Sequence, residues 1–106
     1  MSKPKAPKTL SKEAKKWWRF IQHEYAIVDK AGLLLLQTSM EAFDRMRQCQ
    51  ETISAEGQTV ADRFGQMKAH PLLSVERDGR SQMLAALKAL NLDLEPLKNI
   101  GRPGGR

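Results

Sequence analysis

From Leu36 to Ile53 the side chains Leu36, Met40, Phe43, Met46, Gln50 and Ile53 recur at intervals of three and four, and all but Gln50 are apolar. A half-buried strand would alternate; this period belongs to a helix with one buried face. Glu41, Asp44, Arg45, Gln48 and Thr52 fall on the other side. The spacing predicts a helix from about Leu34 to Glu56, stopped at Gly57. It outreaches the helix that precedes it, so part of its stripe is expected to meet another subunit.

The preceding helix starts where Ser11 can cap it, with Glu13 well placed in its positive first turn. Ala14, Trp17, Trp18, Ile21, Tyr25 and Val28 share one face, and Lys12, Lys15, Lys16 and Arg19 lie nearly opposite. Gly32 is expected to end it or to begin the turn. Residues 58–70 read as a loop, in which Thr59, Val60 and Phe64 leave a short hairpin open. Pro71 suits the first position of a third helix. The stripe of that helix is Leu72, Val75, Gly79, Met83, Ala86, Leu87 and Leu90, Glu76 and Arg80 are spaced to pair, and Gly79 is placed to admit a close helix. The expected fold is all-α: three main helices with a long central helical hairpin. A flexible basic arm spans residues 1–10, a helical DNA-binding and oligomerisation domain 11–92, and a flexible basic tail 93–106.

Charge is distributed as unevenly as hydropathy. Up to Arg19 the chain carries Lys3, Lys5, Lys8, Lys12, Lys15, Lys16 and Arg19 against Glu13 alone, which accounts for the net charge of +6. Residues 20–97 hold eight basic and eleven acidic side chains, and Lys98, Arg102 and Arg106 follow without an acid. A mildly acidic body with two basic ends points to a polyanion, above all nucleic acid; a solvated, solubilising face is the alternative. The candidate DNA-binding residues are Lys3, Lys5, Lys8, Lys12, Lys15, Lys16, Arg19, Arg102 and Arg106. Gly101-Arg102-Pro103 has the centre of a minor-groove hook, but Ile100 stands where a second Arg would precede the Gly.

Other chemistry is scarce. One Cys excludes an internal disulfide, and two His with one Cys cannot supply a usual structural zinc set. No phosphate-cradling Gly loop ending in Lys-Ser or Lys-Thr occurs, and no Gly-x-Ser-x-Gly. No enzymatic activity, metal or cofactor is expected. The acidic ridge Glu41, Asp44, Glu51 reads as a water-facing helix face, His70 as a turn or capping residue before Pro71, and Cys49 as a buried thiol. Trp17, Trp18, Ile21, Tyr25, Phe43, Met46 and Ile53 are assigned to the core or a subunit interface; for the two Trp this stands against stacking on single-stranded DNA. The longest apolar run, Leu33 to Leu36, is far short of the ~20 residues of a membrane span. No apolar signal core follows the basic start, so a soluble intracellular protein is expected.

The order of these features carries a resemblance. A basic arm leads to Leu10-Ser11-Lys12-Glu13-Ala14-Lys15-Lys16-Trp17. A long helix ends at Glu56-Gly57, a Gly-containing loop closes with His70-Pro71, and a third helix runs into Leu87-Lys88-Ala89-Leu90-Asn91-Leu92-Asp93 before a Gly-Arg-Pro tail. Over nearly its whole length the chain resembles the small subunit of the phage terminase, in the family with a His-Pro before its last long helix. Two departures stand out. Leu90-Asn91-Leu92 replaces Leu-Gly-Leu, where Asn still tolerates a left-handed backbone, and Glu95-Pro96-Leu97-Lys98 replaces a Ser-Arg segment.

The resemblance implies a non-enzymatic homo-oligomer, a ring of about eight to ten subunits closed by a heterologous interface. It implies binding of double-stranded, concatemeric viral DNA at the packaging start site. It further implies delivery of that DNA to the terminase large subunit, the ATPase and nuclease, whose activity the small subunit regulates, in the host cytoplasm with no membrane involved. The rival from the residues is a small dimeric helical DNA-binding transcriptional regulator, with a helix-turn-helix about Lys30-Ala31-Gly32. The exposed face of its second helix would be as acidic as basic, which counts against it. A third reading is an adaptor whose arm binds acidic protein surfaces.

Overall fold

The computed structural model describes residues 4–92. Its elements are α1 (Lys12–Tyr25), α2 (Lys30–Glu56), β1 (Thr59–Ala61), β2 (Met67–Ala69) and α3 (Leu72–Ala89). α2 and α3 form a long antiparallel hairpin, and α1 packs against α2, its start lying beside Asp44 and Arg47. Three main helices agree with the expected class. The small antiparallel sheet corrects the all-α expectation: Thr59 pairs with Ala69, Val60 with Lys68 and Ala61 with Met67.

Each boundary has a local cause. Ser11 caps α1, its hydroxyl accepting from the Ala14 N–H at 3.0 Å. The helix stops at Tyr25 because Ala26 turns left-handed (φ 49°), its N–H bonded to the Gln22 carbonyl at 2.9 Å. The Gln22 side chain, itself buried, donates to the Ile27 carbonyl at 2.9 Å and ties the bend down. The buried Ile27, not Val28, continues the core; Val28 is exposed.

α2 begins four residues earlier than the apolar stripe indicated. Asp29 caps it, the carboxylate accepting from the Gly32 N–H at 2.8 Å. Gly32 therefore lies inside the first turn of α2 and does not end α1. A Cβ there would stand 2.8 Å from both the Asp29 carboxylate and the Ile27 side chain, so the cap leaves room for glycine alone.

The segment expected as a loop turns at Asp62, whose carboxylate accepts from the N–H groups of Phe64 (2.8 Å) and Gln66 (3.0 Å), with Gly65 left-handed at φ 81°. These bonds satisfy the turn and hold β1 against β2. Phe64 sits at the exposed turn rather than in a strand.

α3 starts after Pro71 and ends where Asn91 adopts φ 56°, donating to the Lys88 carbonyl at 2.9 Å. The left-handed turn that Asn was expected to allow is present. Gly79 faces α2 so closely that a Cβ would lie 3.3 Å from the Ala42 carbonyl oxygen. The expected stripe of α3 holds at Leu72, Gly79, Met83, Ala86, Leu87 and Leu90, all buried or half-buried; it departs at Val75, which is exposed, with Glu76 buried beside it. Arg80 and Gln50 both donate to Glu76, the second at 2.9 Å, so the buried carboxylate is not left uncompensated.

The core joins Leu10, Ala14, Trp18, Ile21, Ile27, Leu36, Met40, Phe43 and Met46, with Met83 and Leu87 of α3 packed against it. Cys49 and Ile53 are buried farther along α2. Leu36, with no exposed surface, alone contributes about 1.5–3 kcal/mol of apolar burial.

Residues 4–10, expected as a free arm, lie against this body. Leu10 is buried, Ala6 packs on the core, and the Trp18 indole N–H donates to the Pro4 carbonyl at 3.2 Å. The expected tail, residues 93–106, lies outside the described residues.

Candidate nucleic-acid interface

Capping at Ser11 sets the start of α1, and burial of its apolar face decides which charges meet solvent. Ala14, Trp18, Ile21 and Gln22 turn inward. Lys12, Lys16 and Arg19 are exposed and Lys15 is half-buried, all on the outer side of the helix. Among the described residues none of these four cations is in an ion pair.

The acids that would neutralise this face are engaged elsewhere. Glu13 turns toward α2, where both its oxygens accept from Arg47, each at 3.2 Å. The Arg47 guanidinium also lies over the Phe43 ring, 5.0 Å from its centroid. Asp44 accepts two hydrogen bonds from Ser11, and Glu41 accepts from Gln37 at 3.0 Å. The acidic ridge of α2 is thus two-thirds consumed by structural contacts, and the lysine face stays unscreened.

The packed residues 4–6 add a wall. Lys5 and Ala6 face Lys15, Arg19 and His23 across a cleft of about 520 Å³, with Trp18 at its base. Lys5 also borders a second cleft with Lys30 on its far side. Chain distant in sequence therefore brings Lys5 to the α1 cations, which no helical period could have indicated. Lys8 is exposed. Lys3, Arg102 and Arg106 lie outside the described residues.

Ammonium groups and one guanidinium on the outside of a helix are groups that can neutralise a phosphodiester backbone. Trp18 cannot stack on a base, being buried with its N–H engaged. Of the residues assigned to the core or an interface, Trp18, Ile21, Phe43, Met46 and Ile53 are buried and Tyr25 is half-buried. Trp17 is not in the core. It is 44% exposed, edge-on to Phe20 with centroids 5.9 Å apart, on the side of α1 away from the lysines. Helical phase alone grouped it with Trp18, because an apolar face wider than the actual contact with α2 leaves its margin uncovered.

His70 is buried at the far end of the helical hairpin. Its Nδ1 accepts from the Leu72 N–H at 3.0 Å and its Nε2 donates to Glu56 at 2.7 Å. It caps α3 and ties it to the end of α2, which accounts for a His directly before Pro71. No helix among the described residues is long and apolar enough to cross a membrane.

A family model described as phage terminase, small subunit, matches residues 14–103 of the chain. The match takes in most of α1 and all of α2, the sheet and α3, and leaves Lys3, Lys5, Lys8 and Lys12 outside it. No curated protein and no solved structure matches.

Proposed function

The chain belongs to the phage terminase small-subunit family, and from that premise we propose that it binds double-stranded concatemeric viral DNA at the packaging start site and delivers it to the terminase large subunit. The family supports a role in phage genome packaging; the DNA contact and the delivery step are our reading. In it the protein does no covalent chemistry of its own: the large subunit supplies ATP hydrolysis and cleavage, and the small subunit regulates them.

One observation carries the DNA contact. Lys12, Lys15, Lys16 and Arg19 share one side of α1, Lys5 joins two of them across a cleft, and among the described residues no carboxylate pairs with any of the five. Such a face neutralises phosphates and gives affinity, not base sequence. A single small patch binds weakly, so we infer a closed homo-oligomeric ring of about eight to ten subunits, in which repeated patches add by avidity.

The test is DNA binding across a salt series. The wild type should lose affinity steeply as salt rises. Replacing Lys12, Lys16 and Arg19 by Gln should lower the slope of log affinity against log salt by about 0.9 for each phosphate that no longer meets a cation. All three are exposed, so the fold should be intact by circular dichroism. A triple variant that binds as the wild type does would remove the basic face from the reading. Native mass spectrometry checks the assembly: a closed ring supports it, and a stable monomer or dimer overturns the ring.

A further inference from the structure

Exposed apolar side chains cluster at two places far apart in the fold. The first is a groove of about 540 Å³ on the side of α1 away from the lysines, where α1 meets the end of α3. Trp17, Phe20 and Tyr25 line it from α1, Leu84 and Leu87 from α3. Phe20 is 54% exposed and Leu84 55%, so about half of each stays in water.

The second is the turn between β1 and β2. Phe64 is 76% exposed and Met67 64%. A Cβ on Gly65 would meet nothing within 4 Å, so the turn projects into solvent. Asp62 holds its shape through the Phe64 and Gln66 N–H groups, and Phe64 is therefore presented on a fixed turn. Leu84 stands twelve residues after Leu72, about 18 Å along α3, and the turn lies beyond the start of that helix. A projection and a recess so far apart cannot meet within one chain. They are the two unlike halves that a heterologous contact between copies requires.

Charge gives the seating a direction. The Arg63 guanidinium lies 5.1 Å from the centroid of the Phe64 ring and accompanies it. Glu24 is exposed and follows Phe20 by four residues, one turn along the α1 wall, whereas the α3 wall carries Lys88. Arg63 is drawn to the first wall and repelled by the second.

We propose that the β1–β2 turn of one copy seats Phe64 and Met67 in the α1–α3 groove of a second copy, with Arg63 toward Glu24. The proposal rests on the self-assembly inferred above and names its contact. An aromatic side chain buries about 150–250 Å², against about 800 Å² per partner in a standard interface. One such contact is weak alone, and it persists where each copy both gives its turn and receives another's.

The experiment traps the contact with cysteines. In a Cys49→Ala background, Phe64→Cys and Leu84→Cys are made as two separate proteins. Oxidation of their mixture should give mainly the mixed dimer, linked from position 64 of one copy to position 84 of the other. An unlinked mixture, or links chiefly between two copies of the same variant, overturns the proposal. Phe64→Ser, at an exposed position, should keep its helical circular dichroism and lose the assembly that native mass spectrometry finds for the wild type. An unchanged assembly overturns the proposal, and weaker DNA binding by that intact assembly assigns the turn to nucleic acid instead. A wild-type dimer that gives the 64-to-84 link removes the ring and keeps the contact; a ring without that link does the reverse.

Discussion

Asp44, near the middle of α2, accepts hydrogen bonds from both the backbone N–H and the hydroxyl of Ser11, the first of them at 2.8 Å. The same hydroxyl caps α1 by accepting from Ala14. One carboxylate on one helix therefore holds the start of another. Lys12, Lys15 and Lys16 follow within the next five residues, so Asp44 anchors the end of the helix that carries the charged face without touching those cations.

Asp44→Ala should then cost more than a surface carboxylate normally does. Loss of a cap alone is about 1 kcal/mol, and here the Ser11 N–H also loses its acceptor. We expect a lower urea midpoint and faster hydrogen exchange confined to the first turn of α1. Ser11→Ala should give much of the same destabilisation. In the double variant the two effects should be clearly non-additive, because both substitutions break one network. Additive effects would mean that the Ser11–Asp44 bond contributes nothing.

Glu13 offers the converse case. Its pair with Arg47 is part-exposed on both sides and stabilises by less than about 1 kcal/mol. It is also the only acid within the first nineteen residues. Glu13→Gln should leave the denaturation midpoint nearly unchanged and, on the reading above, tighten DNA binding at low salt, with the gain fading as salt rises. Weaker binding in that variant would place the DNA contact away from α1.

These relationships mark what the sequence made legible. The row Leu36, Met40, Phe43, Met46, Ile53 could be read directly, because burial of one helix face against another writes its period into the chain. The caps at Ser11 and Gly57 and the close approach at Gly79 were legible for the same reason: each rests on neighbours within a few residues or on a missing side chain. What was not legible depends on contacts distant in the chain. Ala26 turns left-handed only because Gln22 and Ile27 hold it, so Gly32 was a misleading stop signal. Leu10 and Pro4 look like parts of a solvated arm until Trp18 supplies a surface and a donor. Lys5 joins the lysine cluster by that packing, and Trp17 leaves the core because α2 covers only part of the apolar face of α1.

His70 explains the His-Pro step at the start of α3. Pro71 provides the fixed φ of a helix start but no side-chain acceptor, and the His70 imidazole one residue earlier receives the Leu72 N–H instead. His70→Ala removes that acceptor and the bond to Glu56 together. We expect a destabilisation of about 1–2 kcal/mol, with Leu72 exchanging its amide proton faster. His70→Asn, whose short side chain is a good cap, should recover the Leu72 protection but not the link to Glu56. Unchanged exchange at Leu72 in the alanine variant would deny the cap.

Glu76 predicts how α2 and α3 respond to acid. The Arg80 side chain, followed by that of Gln50, donates to its carboxylate and holds its pKa below the ordinary 4.5, although burial pushes it the other way. A carboxyl group whose folded pKa is depressed binds a proton more readily once unfolded. Its stabilising contribution is therefore complete above about pH 4.5 and is lost as pH falls from there through the lower folded value. Protonation would leave Arg80 and Gln50 donating to a neutral acid that is mostly shielded from water, between helices whose backbones meet at Gly79. Urea midpoints measured between pH 7 and pH 3 should fall through the acid range for the wild type. Glu76→Gln should start lower at pH 7 and fall less steeply, because it has no proton to take up. The two curves should approach one another at the acid end. Parallel curves over the whole range would show that Glu76 has the same proton affinity folded and unfolded, and that its two donors do not favour the ionised form.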